Sequence, residues 1–246
     1  MPSRPESGSG RPTLDKSWLF RNHPVFGQLA PDQIEHLCSH AQTRRVSRGT
    51  TIFKKGDPGN SLFAIAGGSV KIDVPSRGGR DAVFGLLHEG EILGEIALLD
   101  GQPRTADATA TTDCLLIVID RRDFLPLLTA RPEIALKLIE VICRRLRQTN
   151  QQIEDVMFLD FPARLAKTLL RLSQRARPSQ DGRKVAITQS EIGGIVGLSR
   201  ESTNRFLRSW QEQGWVELRR GGIVVRAPDA LAALASADGA DVTAAP

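Results

Sequence analysis

Cysteine is scarce in this chain, long apolar runs are missing, and the predicted strands hold no cluster of histidines. The three cysteines, Cys38, Cys114 and Cys143, form an odd count with no paired spacing. That pattern excludes a disulfide framework, a zinc ribbon and an iron–sulfur cluster, and predicts buried thiols in a reducing compartment. The four histidines, His23, His36, His40 and His88, include no His-x-His pair, so no metal is expected. No apolar run approaches the roughly 18 residues that span a bilayer; Cys114 to Ile119 and Ala230 to Ala235 both fall far short. The opening MPSRPESGSGRP lacks the apolar stretch of a signal peptide, so the expected location is cytoplasmic, with no membrane partner.

What is present divides the chain. Its 246 residues exceed a usual single domain, and 40% hydrophobic content is enough for a core in each of two. The charge is segregated. Residues 161–227 hold 13 Lys and Arg against 5 Asp and Glu, a local excess larger than the +5 of the whole chain, so the remainder is slightly acidic. A basic C-terminal half points to a polyanion as the target of that half alone, because phosphate neutralisation is the sequence-independent part of nucleic-acid affinity.

Residues 1–14 are rich in Pro, Ser and Gly and read as a disordered arm; the Ala, Asp and Gly tail at 234–246 reads the same way. A short helical stretch, PDQIEHLCSHA, precedes a series of Val-, Ile- and Phe-rich segments from about 44 to 120, punctuated by glycines. Within them Val70, Ile72 and Val74 alternate with Lys71 and Asp73, which places the first set in a core and the second in water. Short strands with frequent glycine turns mean a β-sandwich, barrel or jelly roll, here over residues 15–131.

Residues 132–159 predict one long helix. Ile139, Ile142, Leu146, Thr149, Ile153 and Val156 are spaced 3, 4, 3, 4 and 3, the seam of a two-stranded coiled coil, so the helix is expected to pair with a second copy. Asp160 and Pro162 then read as an N-cap and first-turn proline after a sharp break. A further domain follows at 160–233.

In that domain Thr188 and Glu191 form a capping box, Ile192, Ile195 and Val196 give a buried face, Gly197 supplies the turn, and Ser199 caps a second helix. Phe206 and Leu207 can face inward while Arg200, Glu201, Asn204, Arg205 and Arg208 share the exposed face. This is a helix-turn-helix whose arginines suit guanine O6 and N7 and whose glutamate suits cytosine N4 in a DNA major groove. Trp215 to Val225, with Arg219 and Arg220 before Gly221 and Gly222, reads as a two-stranded wing near phosphate.

Between the later strands lies ILGEIALLDGQPRTADATA. Gly94 and Glu95 lead into a short helix through Ile96 and Ala97, and Arg104, Thr105 and Ala106 follow. Helix-start N–H groups, a guanidinium and a hydroxyl suit phosphate. Glu95 adds an acceptor for a ribose hydroxyl, so the set fits a cyclic nucleotide better than a free anion.

The order of β-roll, GEIALLDGQPRTA, long helix with CRRLRQTN, hinge FLD and GLSRESTNR resembles the CRP/FNR family, closest to its cyclic AMP receptor proteins, over about residues 20–227. The resemblance implies an α+β fold: an N-terminal cyclic-nucleotide-binding β-roll of jelly-roll type, a long dimerisation helix and a C-terminal winged helix-turn-helix. It implies a transcription regulator, not an enzyme. Gly94 and Glu95 would hold the ribose, with Glu95 on the 2′-hydroxyl, and Arg104 and Thr105 the cyclic phosphate. Thr149 of one subunit and Asn150 of its partner would meet adenine. Arg200, Glu201 and Arg205 match base-reading positions. The implied effector is cyclic AMP, with cyclic GMP as the alternative. The implied partners are a second copy, a DNA palindrome with TGTGA-like half-sites, and RNA polymerase. The chain departs from the pattern at Asn150, where these receptor proteins often carry Ser, and at Asn204, where they carry a smaller residue. The N-terminal cysteine cluster of the oxygen-sensing branch is lacking. Two other readings stay open: a member that binds DNA without a ligand, and a cupin-type enzyme, which would need a strand-borne His and Glu cluster.

Overall fold

The structure is a computed structural model and describes residues 16–27, 29–75, 82–175, 178–179 and 182–236. The expected N-terminal arm lies outside the described residues.

Two short helices, α1 (Lys16–Arg21) and α2 (Pro31–His40), lead into eight strands: β1 (Gln42–Val46), β2 (Thr51–Phe53), β3 (Ser61–Gly67), β4 (Ser69–Val74), β5 (Ala82–His88), β6 (Ile92–Leu93), then, after α3 (Glu95–Asp100), β7 (Asp107–Ala110) and β8 (Cys114–Asp120). They form two antiparallel four-stranded sheets, ordered β1-β8-β3-β6 and β2-β7-β4-β5. Alternation along β3 explains why the first sheet is buried on both faces. Phe63 and Ile65 join Ile52, Val70, Leu87 and Ala108 in the core between the sheets. Leu62 and Ala64 turn the other way, toward Phe20, Phe26, Leu37 and Phe124 of the covering helices.

The β4 alternation departs from expectation at Asp73. Val70 is buried as predicted, but Asp73 is only 4% exposed. Lys71 Nζ lies 2.8 Å from Asp73 Oδ2, and a buried carboxylate is tolerable when so paired. Opposite this point the β4–β5 register slips, with Ile72 facing Gly85 and Asp73 facing Val83, so that Phe84 bulges outward.

α4 (Arg121–Ala130) precedes α5 (Pro132–Phe158). The N-terminal part of α5 packs on the roll through Ile134, Leu138 and Val141. Most of the predicted seam is bare: Leu146 is 58% and Ile153 53% exposed, Ile139 and Val156 are exposed as well, and Ile142 is half-buried. Cys143 is exposed on this same free stretch and Cys38 is half-buried, so of the three thiols only Cys114 lies in a core as expected.

After Leu159 and Asp160 the chain enters α6 (Phe161–Arg175), with Asp160 Oδ1 accepting from the Ala163 N–H at 2.9 Å. Then come β9 (Pro178–Ser179), β10 (Gly182–Val185), α7 (Gln189–Val196), α8 (Arg200–Glu212), β11 (Val216–Arg219), β12 (Gly222–Val225) and α9 (Pro228–Ser236). A third apolar cluster, in the C-terminal domain, gathers Leu165, Leu169, Ile192, Val196, Leu207, Trp210 and Leu231. The tail prediction needs correction at its near edge. Leu231, Leu234 and Ala235, at i, i+3 and i+4, give α9 an apolar stripe that packs on this core, so order continues through Ser236. Residues 237–246 lie outside the described residues.

Candidate functional site

Gly94 opens the first constellation. It caps α3 in the left-handed region at φ +81, and a Cβ there would lie 2.3 Å from Arg104 Nη1 and 3.1 Å from the Ser61 carbonyl oxygen, so only glycine fits. Arg104 is 4% exposed. Its Nη1 donates to the Gly94 carbonyl at 2.8 Å, and its Nη2 donates to the Ser61 carbonyl at 2.7 Å and to Ser61 Oγ at 3.1 Å. The guanidinium also stacks over Phe53, 4.4 Å from the ring centroid. Burial pulls its pKa below the usual arginine range, while the Glu95 and Asp57 carboxylates oppose that pull. Arg104 Nε has no hydrogen-bond partner among the described residues. A buried cation with an unused donor has the chemistry that an anionic oxygen completes. Thr105 is exposed beside it, Ala106 is buried, and of the first α3 residues Ala97 is buried while Ile96 is exposed. The first-turn N–H groups of α3 have no intrahelical acceptor, a general property of helix starts.

Glu95 is 2% exposed and ion-paired to Arg145 of α5, whose second nitrogen donates to the Ile92 carbonyl. No sequence motif singles out Arg145. The available signal was helical spacing: Arg145 precedes Thr149 by one turn, and Thr149 Oγ1 donates to the Arg145 carbonyl at 3.1 Å. Gly94, Glu95, Arg104, Arg145 and Thr149 are thus linked by direct bonds. Asn150 is exposed on α5 and joins none of them within the subunit.

The second constellation is the pair α7 and α8. Thr188 Oγ1 accepts from the Glu191 N–H at 3.2 Å and Glu191 Oε2 accepts from the Thr188 N–H at 2.7 Å, completing the capping box. Ser199 Oγ accepts from the Ser202 N–H at 3.1 Å and starts α8. The helices cross closely at Gly193, where a Cβ would sit 2.7 Å from Thr203 Oγ1 and 3.0 Å from the Leu198 carbonyl oxygen. Leu207 is buried and Phe206 half-buried, as the pattern required. Arg200, Glu201, Arg205 and Arg208 are exposed and Asn204 is half-buried. Glu201, Asn204, Arg205 and Arg208 line a surface concavity along the helix. Gly221 turns the wing between β11 and β12. There Arg219 Nε donates to Glu217 Oε1 at 2.5 Å and Arg226 Nε to Glu217 Oε2 at 3.0 Å, and these bonds hold the Glu217 carboxyl down at about 2. Arg219 is therefore partly neutralised. Arg220 and Lys184 are the exposed cations at the wing tip.

Among the described residues no group of three or more His, Cys, Asp or Glu could hold a metal ion, and no helix is long and apolar enough to cross a membrane.

Residues 43–131 match the family model of the cyclic nucleotide-binding domain, and residues 163–234 that of the Crp-like helix-turn-helix domain. The chain is 35% identical over 211 residues to a CRP-like cAMP-activated global transcriptional regulator of Mycobacterium tuberculosis, covering 85% of this chain and 94% of that one. It is 33% identical over 207 residues to the cyclic AMP receptor protein of Thermus thermophilus, covering 84% and 94%. The solved structure of the c-di-GMP responsive global regulator CLP of Xanthomonas campestris superposes with a TM-score of 0.70 at 27% identity, over 80% of this chain and 99% of that one.

Proposed function

The chain belongs to the CRP/FNR family of DNA-binding transcription regulators, and from that premise we propose that it is a homodimer whose DNA binding is switched by cyclic AMP. The family couples a cyclic nucleotide-binding domain to a helix-turn-helix and regulates transcription; it does not catalyse.

The observation that carries the proposal is the pair between buried Glu95 and half-buried Arg145. It ties the nucleotide cassette to α5, which leads through Leu159 and Asp160 to the DNA-binding domain. In this reading Glu95 accepts from the ribose 2′-hydroxyl, and Gly94, Ile96 and Ala97 offer backbone at the start of α3. Arg104, with Thr105 and Ala106 beside it, takes the cyclic phosphate. Thr149 and the partner's Asn150 take the base. The bare seam of α5 supports pairing with a second copy, because an apolar stripe at heptad spacing is buried by its own counterpart. A ligand that bridges roll and paired helices favours one arrangement of the dimer, and that arrangement sets two α8 helices about 34 Å apart on a palindrome with TGTGA-like half-sites. Arg200 and Arg205 read guanines, Glu201 reads a cytosine, and Asn204 and Arg208 extend that face. Thr188, Ser199, Arg219 and Arg220 lie toward phosphate. RNA polymerase is the further partner that the reading implies.

Thr149 favours adenine. Its hydroxyl donates to the Arg145 carbonyl at 3.1 Å, and in that orientation it presents an acceptor, which suits the adenine N6 donor and opposes guanine O6. Asn150 can present either polarity. Calorimetric titration with both nucleotides tests this: we expect one saturable site per chain and a cyclic AMP preference of at least about tenfold, ~1.4 kcal/mol. No heat with either nucleotide would remove the proposal, and equal affinities would remove the role of Thr149.

A further inference from the structure

β5 is an edge strand of the second sheet. Val83 and Leu87 face the roll and are buried. Leu86 points out of the roll and packs against the core of the DNA-binding domain, where β5 lies along α7. The bulge at Phe84 marks the strand's other attachment: the Phe84 carbonyl accepts from Gln152 Nε2 of α5 at 3.4 Å. A second tie crosses the break between α5 and α6. Lys167 Nζ of α6 lies 2.7 Å from Asp155 Oδ1 of α5, which also accepts from Gln151 Nε2 at 3.1 Å. Beside it Arg164 lies over the Phe161 ring at 4.5 Å.

Only Leu159 and Asp160, outside either helix, connect the two helices, and rotation about the φ and ψ of two such residues is enough to change a domain's angle. The two ties can hold that angle. We propose that β5 is a docking strip for the helix-turn-helix of the same subunit and that, with the Asp155–Lys167 pair, it sets the orientation in which α8 is presented. Docking leaves the DNA-reading face free, since Arg200, Glu201, Arg205 and Arg208 stay exposed.

The strip also gives the roll a direct line to the DNA-binding domain, separate from α5. Thr105 runs into β7, β7 pairs with β4, β4 pairs with β5, and β5 seats α7. A shift at the phosphate cassette therefore reaches α7 across two hydrogen-bonded strand pairings, the second of them interrupted only by the bulge at Phe84. This part of the inference rests on the proposed nucleotide response; the docking itself does not.

The test uses the full chain with Leu86→Asp, Lys167→Met and the exchanged pair Asp155→Lys with Lys167→Asp. Hydrogen exchange is read in residues 158–161 and in α7, and DNA affinity is read with and without cyclic AMP. Leu86→Asp is expected to speed exchange at the hinge and in α7 by about fivefold or more, because a half-buried carboxylate undocks the strip. Lys167→Met should speed exchange at the hinge, and the exchanged pair should restore it. With Leu86→Asp, cyclic AMP affinity should stay within about twofold while the gain in DNA affinity that it confers falls at least about fivefold. Unchanged exchange in both single variants would overturn the docking. Faster exchange with an unchanged nucleotide-dependent gain would overturn its role in orientation. If the unmodified protein shows no nucleotide response, the cyclic AMP reading and the line through β7 fall together, and the exchange data still decide the docking.

Discussion

At Arg104 the guanidinium is already bonded to the Gly94 and Ser61 carbonyls, so it both builds the cassette and offers the cassette's positive charge. Arg104→Leu should lower cyclic nucleotide affinity by about 30- to 1000-fold, ~2 to 4 kcal/mol, read by calorimetry on protein shown folded by circular dichroism. Unaltered affinity in the folded variant would displace the site. His23 poses a different single-residue question. It is buried, its Nδ1 accepts from the Val25 N–H at 3.2 Å, and burial holds its pKa at about 4 against an ordinary 6.5. The unfolded chain therefore takes up a proton in the window from 6.5 down to about 4 that the folded chain refuses. Stability from this group is whole above the upper value and is lost as pH falls through the window, to a total of about 3 kcal/mol. His23→Asn keeps an acceptor for Val25 but cannot titrate. Its denaturation midpoint should fall less steeply between pH 6.5 and 4 than that of the unmodified chain, and parallel curves would refute the assignment.

In the proposed complex α8 reads bases and the wing holds phosphate. Glu201→Ala, on the exposed face of α8, should relax preference at one base pair by about 1 to 3 kcal/mol, whereas Arg220→Ala at the wing tip should weaken all sequences alike. Binding to a panel of single-base variants distinguishes them, and an even loss from both changes would mean that α8 does not read bases. For α5, Leu146→Glu puts two carboxylates into a shared apolar seam and should raise the dimer dissociation constant by about 100-fold, ~3 kcal/mol, by sedimentation; an unchanged constant would move the interface elsewhere. These elements were legible beforehand because their signals are local. The α5 seam, the Thr188–Glu191 box and the Ser199 cap all act within one or two helical turns. Illegible features depend on residues far apart in the chain: Arg145 meets Glu95 across 50 positions and Gln152 meets Phe84 across 68. Two local features are illegible for another reason: alternation puts Lys71 and Asp73 on one face but does not tell that their pairing lets Asp73 be buried, and the Ala-rich composition of α9 resembles a tail.

For the molecule as a whole, the roll, the C-terminal domain, the long helix between them and the ties at β5 and Asp155 make one linked system. The charge segregation seen in the composition also belongs to this scale, since only the half with the helix-turn-helix carries an excess of basic residues. Linkage requires that if cyclic AMP strengthens DNA binding, DNA strengthens cyclic AMP binding by the same factor. The most direct measurement is fluorescence anisotropy of a labelled palindrome titrated with the full chain, with and without saturating cyclic AMP at fixed salt. We expect cyclic AMP to tighten binding to the palindrome by at least about tenfold, ~1.4 kcal/mol, and to leave binding to a scrambled duplex nearly unchanged. Equal affinity for the palindrome in the two conditions, with cyclic AMP shown bound by calorimetry, would contradict a nucleotide-switched regulator.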